Sequence, residues 1–331
     1  MAFPSLSTAL SAQRPAGIKK VYVKTGSELW QTLGNIRNGE LKLTPYNTED
    51  TYKRNLNIDS YTVEAKFEML QTDVLELEKL DSLLDGTTDW LFQFTDAGAI
   101  PSSATATEGW FILQDTQVGA KGRYVVDGNP SSVQFVEVMV KGTLIASTID
   151  AAVKGTIDDG EFHTSATSSE TYSTNGAIAG GTIFGYYISS TVGDNTGILA
   201  NQKSAGFSTV ELQDALGTTY VAQGRVRNGK ITADWLAEED NLGRYNTYGI
   251  DLYVEYELMV SDAATLLLLN TVNLTNTDVK ITLLDGKVFT IASKLGIQAS
   301  FENVGDFDKF RVIRFIHKGR ILKSEFDGIV A

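Results

Sequence analysis

Histidine is the side chain best suited to moving protons near neutrality, and this chain of 331 residues carries two, His163 and His317. His163 lies in a polar stretch and reads as surface. His317 precedes Lys318-Gly319 in a strand-like run and reads as a structural residue. There is no cysteine, which excludes disulfides, thiolate metal sites and thiol nucleophiles. No glycine-rich loop sits between a strand and a helix, so nucleotide binding has no support. No serine stands in a nucleophile-elbow context. The acidic runs Asp158-Asp159-Gly160-Glu161 and Glu238-Glu239-Asp240 offer oxygen ligands. Neither has the spacing of a calcium loop, and solvated turns are expected. Paired carboxylates for glycoside hydrolysis can be drawn almost anywhere among 41 acidic residues, so no pair stands out. The expectation is no catalytic residue, no metal, no cofactor and no enzyme.

Composition narrows the classes further. Hydrophobic residues make up 42% and charged residues 21%, the balance of a folded chain with room for two domains. Lysine and arginine total 28 against 41 acids, a net charge of −13. A protein that grips nucleic acid needs a basic face, so gripping is disfavoured, whereas letting nucleic acid slide past is not. Residues 1–16 lack a basic stretch followed by an apolar one, so no secretory leader is expected there. The longest aliphatic run, 266–269, is far too short to span a membrane.

The elements recur. Arg37-Asn38-Gly39 reads against Arg227-Asn228-Gly229 at an offset of 190. Residues 63–68 alternate, with Val63, Ala65 and Phe67 against Glu64, Lys66 and Glu68. Residues 252–257 do the same, with Leu252, Val254 and Tyr256 against Tyr253, Glu255 and Glu257. Period two predicts strands with one buried face and one wet face. Each strand then leads into a predicted helix, at Thr72-Asp73 and at Ser261-Asp262. Asp73 with Glu76 suits an N-cap, and Val74, Leu77, Leu80, Leu83 and Leu84 form an apolar stripe. The second helix is placed at about 263–272. Further strands follow at 88–94 and 277–283. Gly119 then matches Gly296, Gly128 matches Gly305, and Lys141-Gly142 matches Lys318-Gly319. Long strands at 133–144 and 310–322 close the two copies.

Each unit thus reads as strand, long polar hairpin loop, strand, helix, strand, strand, strand. The loops are placed at 44–60 and 234–249. The expected architecture is α+β or mainly β: two tandem copies of a β-sandwich or barrel domain, each with one packed helix. The copies are bounded at 1–147 and 206–331. Between them, 148–205 holds a Ser/Thr/Gly-rich tract (164–181) and a strand-like run (182–189), either a linker or a strand-bearing insertion.

The stretch 61–86 and the closing strand at 135–142 resemble phage tail tube proteins, over about 18–144 and again over 210–322. The resemblance implies subunits whose inner sheets join into a barrel, with rings stacked into a tube. A two-domain chain would form a ring from three copies, pseudo-sixfold, as in some long-tailed phages. It also implies partners: other copies of the chain, tape measure, terminator and distal tail proteins, and genomic DNA passing through the lumen without specific binding. No membrane partner is implied. The place would be the virion tail, assembled in the host cytoplasm. Tail-tip or hub, distal-tail and terminator ring proteins share the fold and stand as alternatives. A host- or carbohydrate-binding β-sandwich module is a further one, with Phe184, Tyr186 and Tyr187 as candidate aromatics.

On this reading Glu64, Lys66, Glu68, Tyr253, Glu255 and Glu257 face the lumen, where carboxylates would repel phosphate. The competing placement is bulk water on the outside of a sandwich. Glu49, Asp50, Lys53 and Arg54 in the first hairpin, and Glu238, Glu239, Asp240 and Arg244 in the second, are candidates for contact with a stacked ring. Ordinary solvated loops are the alternative.

Overall fold

The computed structural model describes residues 17–25, 30–33, 36–49, 56–70, 84, 86–94, 110–126, 134–148, 153–154, 206–213, 219–223, 226–259, 278–284, 286–291, 295–302 and 311–326. These form a mainly β protein. In chain order the strands are β1 (Ile18–Thr25), β2 (Gln31–Thr32), β3 (Ile36–Glu49), β4 (Leu56–Leu70), β5 (Thr88–Phe94) and β6 (Trp110–Leu113). Then come β7 (Val118–Val126), β8 (Phe135–Ile145), β9 (Val153–Lys154), β10 (Phe207–Gln213), β11 (Tyr220–Ala222) and β12 (Val226–Glu239). The last are β13 (Tyr245–Met259), β14 (Val279–Leu283), β15 (Val288–Ile291), β16 (Gly296–Glu302) and β17 (Val312–Leu322). Only short 3-10 turns, Ala146–Thr148 and Lys323–Glu325, interrupt them among the described residues. The two stretches expected to be helical lie outside the described residues, apart from Leu84, which is buried in a turn.

Every pairing is antiparallel, in three sheets. The largest has the order β16-β17-β13-β12-β7-β8-β4-β3. Two smaller sheets have the orders β2-β1-β5-β6-β9 and β11-β10-β14-β15. Strand formation follows from alternation: in β13 the burial pattern switches residue by residue, with Leu252, Val254, Tyr256 and Leu258 buried. β8 repeats this with Val136, Val138, Val140 and Leu144. The smaller sheets cover the apolar face of the large one. Phe67 of β4 meets Trp90 and Phe92 of β5 at ring separations of 6.0 and 6.2 Å. Tyr124 of β7 stacks on Phe289 of β15 at 6.2 Å. Each such side chain, fully buried, contributes about 1.5–3 kcal/mol. Among the described residues the apolar core forms one cluster that includes Val21 and Phe326.

The stretches expected as long polar loops are mostly strand. β3 and β4 pair as far as Glu49↔Leu56, and β12 and β13 as far as Glu239↔Tyr245. The ladders continue through a register shift at Tyr46/Asn47 and another at Leu236/Ala237. In the second hairpin Trp235 is still buried, but the first looks polar because it outruns the core: Thr44 to Thr48 are exposed throughout. Once neither face is covered, alternation vanishes while the backbone ladder persists.

The Arg-Asn-Gly motif has a mechanical reason. Both strands change register there, between Arg37 and Glu40 and between Arg227 and Lys230. One extra residue makes a β-bulge. Asn38 and Asn228 take the left-handed backbone with φ of 53° and 52°, a conformation asparagine tolerates better than most. The next residue must be glycine because a neighbour is pressed against it. A Cβ on Gly39 would fall 2.9 Å from Ile18 Cβ, and one on Gly229 would fall 2.5 Å from the Phe207 ring.

Candidate functional site

The large sheet has a second face, and the alternation that buries one set of side chains delivers the charged set to it. All six residues expected on a wet strand face lie there, on β4 and β13. Glu64 is exposed and stands opposite Lys42 and Lys141 in the ladders. Lys66 pairs with Glu137 of β8, and the bond with its charge raises the ammonium pKa. Glu68 accepts from Arg37 Nε at 2.5 Å. Glu257 accepts from Arg227 Nε at 2.8 Å and Asn228 Nδ2 at 2.9 Å. Glu255 pairs with Arg314 of β17 and accepts from the Tyr253 hydroxyl at 2.5 Å. That hydrogen bond, with burial, pushes the phenol pKa up.

Sequence reading picked out the acids and missed their partners. Arg37, Lys42, Lys121, Arg123, Lys141, Arg227, Lys230, Arg314, Lys318 and Arg320 occupy the same face by register. Bases there are no fewer than acids. The surface is self-neutralised by cross-strand pairs rather than uniformly acidic, and each exposed pair contributes only about 0–1 kcal/mol. A groove of about 480 Å³ on this face is lined by Lys66, Lys121, Arg123, Glu137, Met139 and Asp234. Lys66 with Glu137, and Arg123 with Asp234 at 2.9 Å, are already paired.

The hairpin candidates divide. Glu49 ends β3, whereas Asp50, Lys53 and Arg54 lie outside the described residues. Glu238 is exposed. Glu239 pairs with Lys141 of β8 at 2.7 Å. Asp240 closes the tip: its Oδ1 accepts from Leu242 N and Arg244 N at 2.8 and 2.9 Å. Burial alone would raise its pKa, but these bonds and the Arg244 guanidinium at 2.7 Å hold it below the ordinary value. This acidic run therefore spans the end of β12 and the turn that follows, with Asp240 engaged by the backbone of that turn. Arg244 also donates to the carbonyls of Asp115 and Thr116 at 3.4 and 3.2 Å. The second acidic run, 158–161, His163 and the aromatics at 184–187 lie outside the described residues. Among the described residues no group of three or more His, Asp or Glu is placed to hold a metal.

His317 is buried at the core side of β17, stacked on Tyr256 with Nε2 3.2 Å from the phenol oxygen. Burial lowers its pKa to about 4. It is a core residue, packed against Tyr256.

The sheet ends differ from its middle. β7 and β12 pair through Val126↔Ile231, Val125↔Thr232, Tyr124↔Ala233 and Arg123↔Asp234. Among the described residues β3 and β16 each have a ladder partner on one side only. Leu43 of β3 and Phe301 of β16 are large apolar residues left 36% and 40% exposed at these edges. No protein-family model matches the chain, and no curated protein matches it.

Proposed function

We propose that this chain is a tandem duplication of one β-domain and serves as a structural subunit of a phage tail tube. Copies close into stacked rings around a DNA-conducting lumen, three chains making a pseudo-sixfold ring. The observation that carries the reading is the β7–β12 seam, because it joins an edge strand of one four-stranded half to an edge strand of the other.

Support for the repeat lies in the registers. Ile36↔Met69 in one hairpin has Val226↔Leu258 in the other, with both register shifts displaced alike. Val63↔Gly142 corresponds to Leu252↔Gly319, and Gly119↔Lys141 to Gly296↔Lys318. In the smaller sheets Val21↔Phe92 corresponds to Val210↔Ile281. On this correspondence β3 is the counterpart of β12, and β16 of β7. The chain therefore ends in one edge of each kind, the two halves of a seam it already makes internally. Open edges invite pairing, and a head-to-tail contact either closes or makes a filament. The self-neutralised charged face is the proposed lumen wall, offering a passing polyanion no continuous basic track to stick to.

Negative-stain electron microscopy of the purified protein, with sedimentation over a concentration series, tests the reading. Rings and tubes are expected. A chain that stays monomeric at high concentration overturns it. Single rings that never stack would instead favour the tail-tip, distal-tail or terminator reading.

A further inference from the structure

The internal seam is more than a strand ladder. Beyond the pairing of β12 with β7, the tip of the β12–β13 hairpin lies over the neighbouring strands β7 and β8. Tyr245 main chain covers Gly119 so closely that a Cβ there would fall 2.1 Å from the Tyr245 carbonyl oxygen. Glu239 reaches Lys141 at 2.7 Å, and the Thr143 hydroxyl donates to the Leu242 carbonyl at 2.7 Å. The hairpin holds laterally, across the sheet, onto the half beside it.

The glycine, the lysine and the glutamate of this contact have like counterparts, which lie apart from one another, whereas Thr143 is replaced by Arg320. Gly119 corresponds to Gly296, Lys141 to Lys318, Glu239 to Glu49 and Tyr245 to Leu56. Glu49 and Leu56 end the β3–β4 hairpin at one edge of the eight-stranded sheet, while Gly296 and Lys318 belong to β16 and β17 at the other. Gly296 is exposed, and the nearest atom to a Cβ there is the Lys318 carbonyl oxygen at 3.4 Å. No described residue of its own chain gives it a steric reason to be glycine. Lys318 is exposed and has no ion-pair partner among the described residues.

We propose that the β3–β4 hairpin is a lateral clasp for a second copy of this chain, closing over β16 and β17 of that copy. Main chain at Leu56 lies on Gly296, and Glu49 meets Lys318. The ladder beneath the clasp sets Leu43 opposite Phe301, burying the two apolar side chains that the single chain leaves at its edges. This proposal rests on the repeat-and-ring reading above and goes beyond it by giving the hairpin a sideways role within a ring instead of an axial one between rings.

The chain has no cysteine, so engineered thiols report alone. A Glu49→Cys, Lys318→Cys double variant, mixed with a short bismaleimide, is expected to give dimers and higher species on a denaturing gel. Each single variant gives none. The Glu239→Cys, Lys141→Cys pair is the control, linking within one chain without added mass. Gly296→Val is expected to keep the native unfolding midpoint yet assemble about tenfold or more weakly. Rings that form without the Glu49–Lys318 link, or that tolerate Gly296→Val unchanged, overturn the clasp and leave the ring reading standing. A monomer at every concentration, with the control pair linking, overturns both.

Discussion

Asn38 and Asn228 hold the same left-handed backbone, φ 53° and 52°, each one residue after an arginine that pairs with a glutamate on the adjoining strand. The bulge places that arginine on the charged face while bringing the next glycine under β1 or β10. One local irregularity therefore serves both layers.

Replacing Asn228 with alanine is expected to cost roughly 1–2 kcal/mol, since a Cβ residue without a short polar side chain resists this conformation. The hydrogen bond to Glu257 is lost as well. Asn228→Gly should cost clearly less, because glycine takes positive φ freely. Urea unfolding of both variants checks the order, and an equal cost would show that φ is not the reason.

His317 makes stability depend on pH. Its folded pKa of about 4 lies below its ordinary value near 6.5, so the unfolded chain binds the proton more readily between these values. The contribution is fully present above about pH 6.5 and falls as pH drops toward 4, by at most about 3 kcal/mol. His317→Val should flatten that part of the profile. Unfolding midpoints measured from pH 4 to 7 on both proteins give the comparison, and parallel slopes would contradict the assignment.

Gly119 lies directly under the Tyr245 main chain. Gly119→Ala must displace the Tyr245 backbone, at a cost of about 1–3 kcal/mol, the range for overpacking a filled site. Cleavage between β12 and β13 should rise in limited proteolysis as the hairpin lifts. Unchanged stability would mean that the tip yields freely.

Gln134 ties β7 to the residue before β15 through buried groups. Its Oε1 accepts from the Tyr124 hydroxyl at 2.6 Å and from Lys287 Nζ at 3.1 Å, and all three residues are fully buried. Gln134→Leu removes an acceptor from a buried ammonium and should destabilise by about 2–4 kcal/mol. Lys287→Met in the same background should recover much of the loss. Double-mutant unfolding measures that coupling, and additive effects would rule it out.

The alternation in 63–68 and 252–257 was sufficient to place two strands, to say which side chains go inward, and to put Glu64, Lys66 and Glu68 on the wet face of one and Tyr253, Glu255 and Glu257 on the wet face of the other. That much follows from a side-chain period of two, which needs no knowledge of neighbours. The charge balance of that face was not legible, because Arg37, Glu137 and Arg314 become partners only through register with distant strands. The hairpin ends at 44–60 and 234–249 were misread as loops: 44–48 is exposed and shows no apolar period, and in the other the register shift at Leu236/Ala237 interrupts the alternation. Least legible of all was the pairing of β7 with β12. Backbone donors and acceptors are alike at every residue, so a strand carries no written label for its neighbour; packing of Tyr124 and Phe289 into one core decided it.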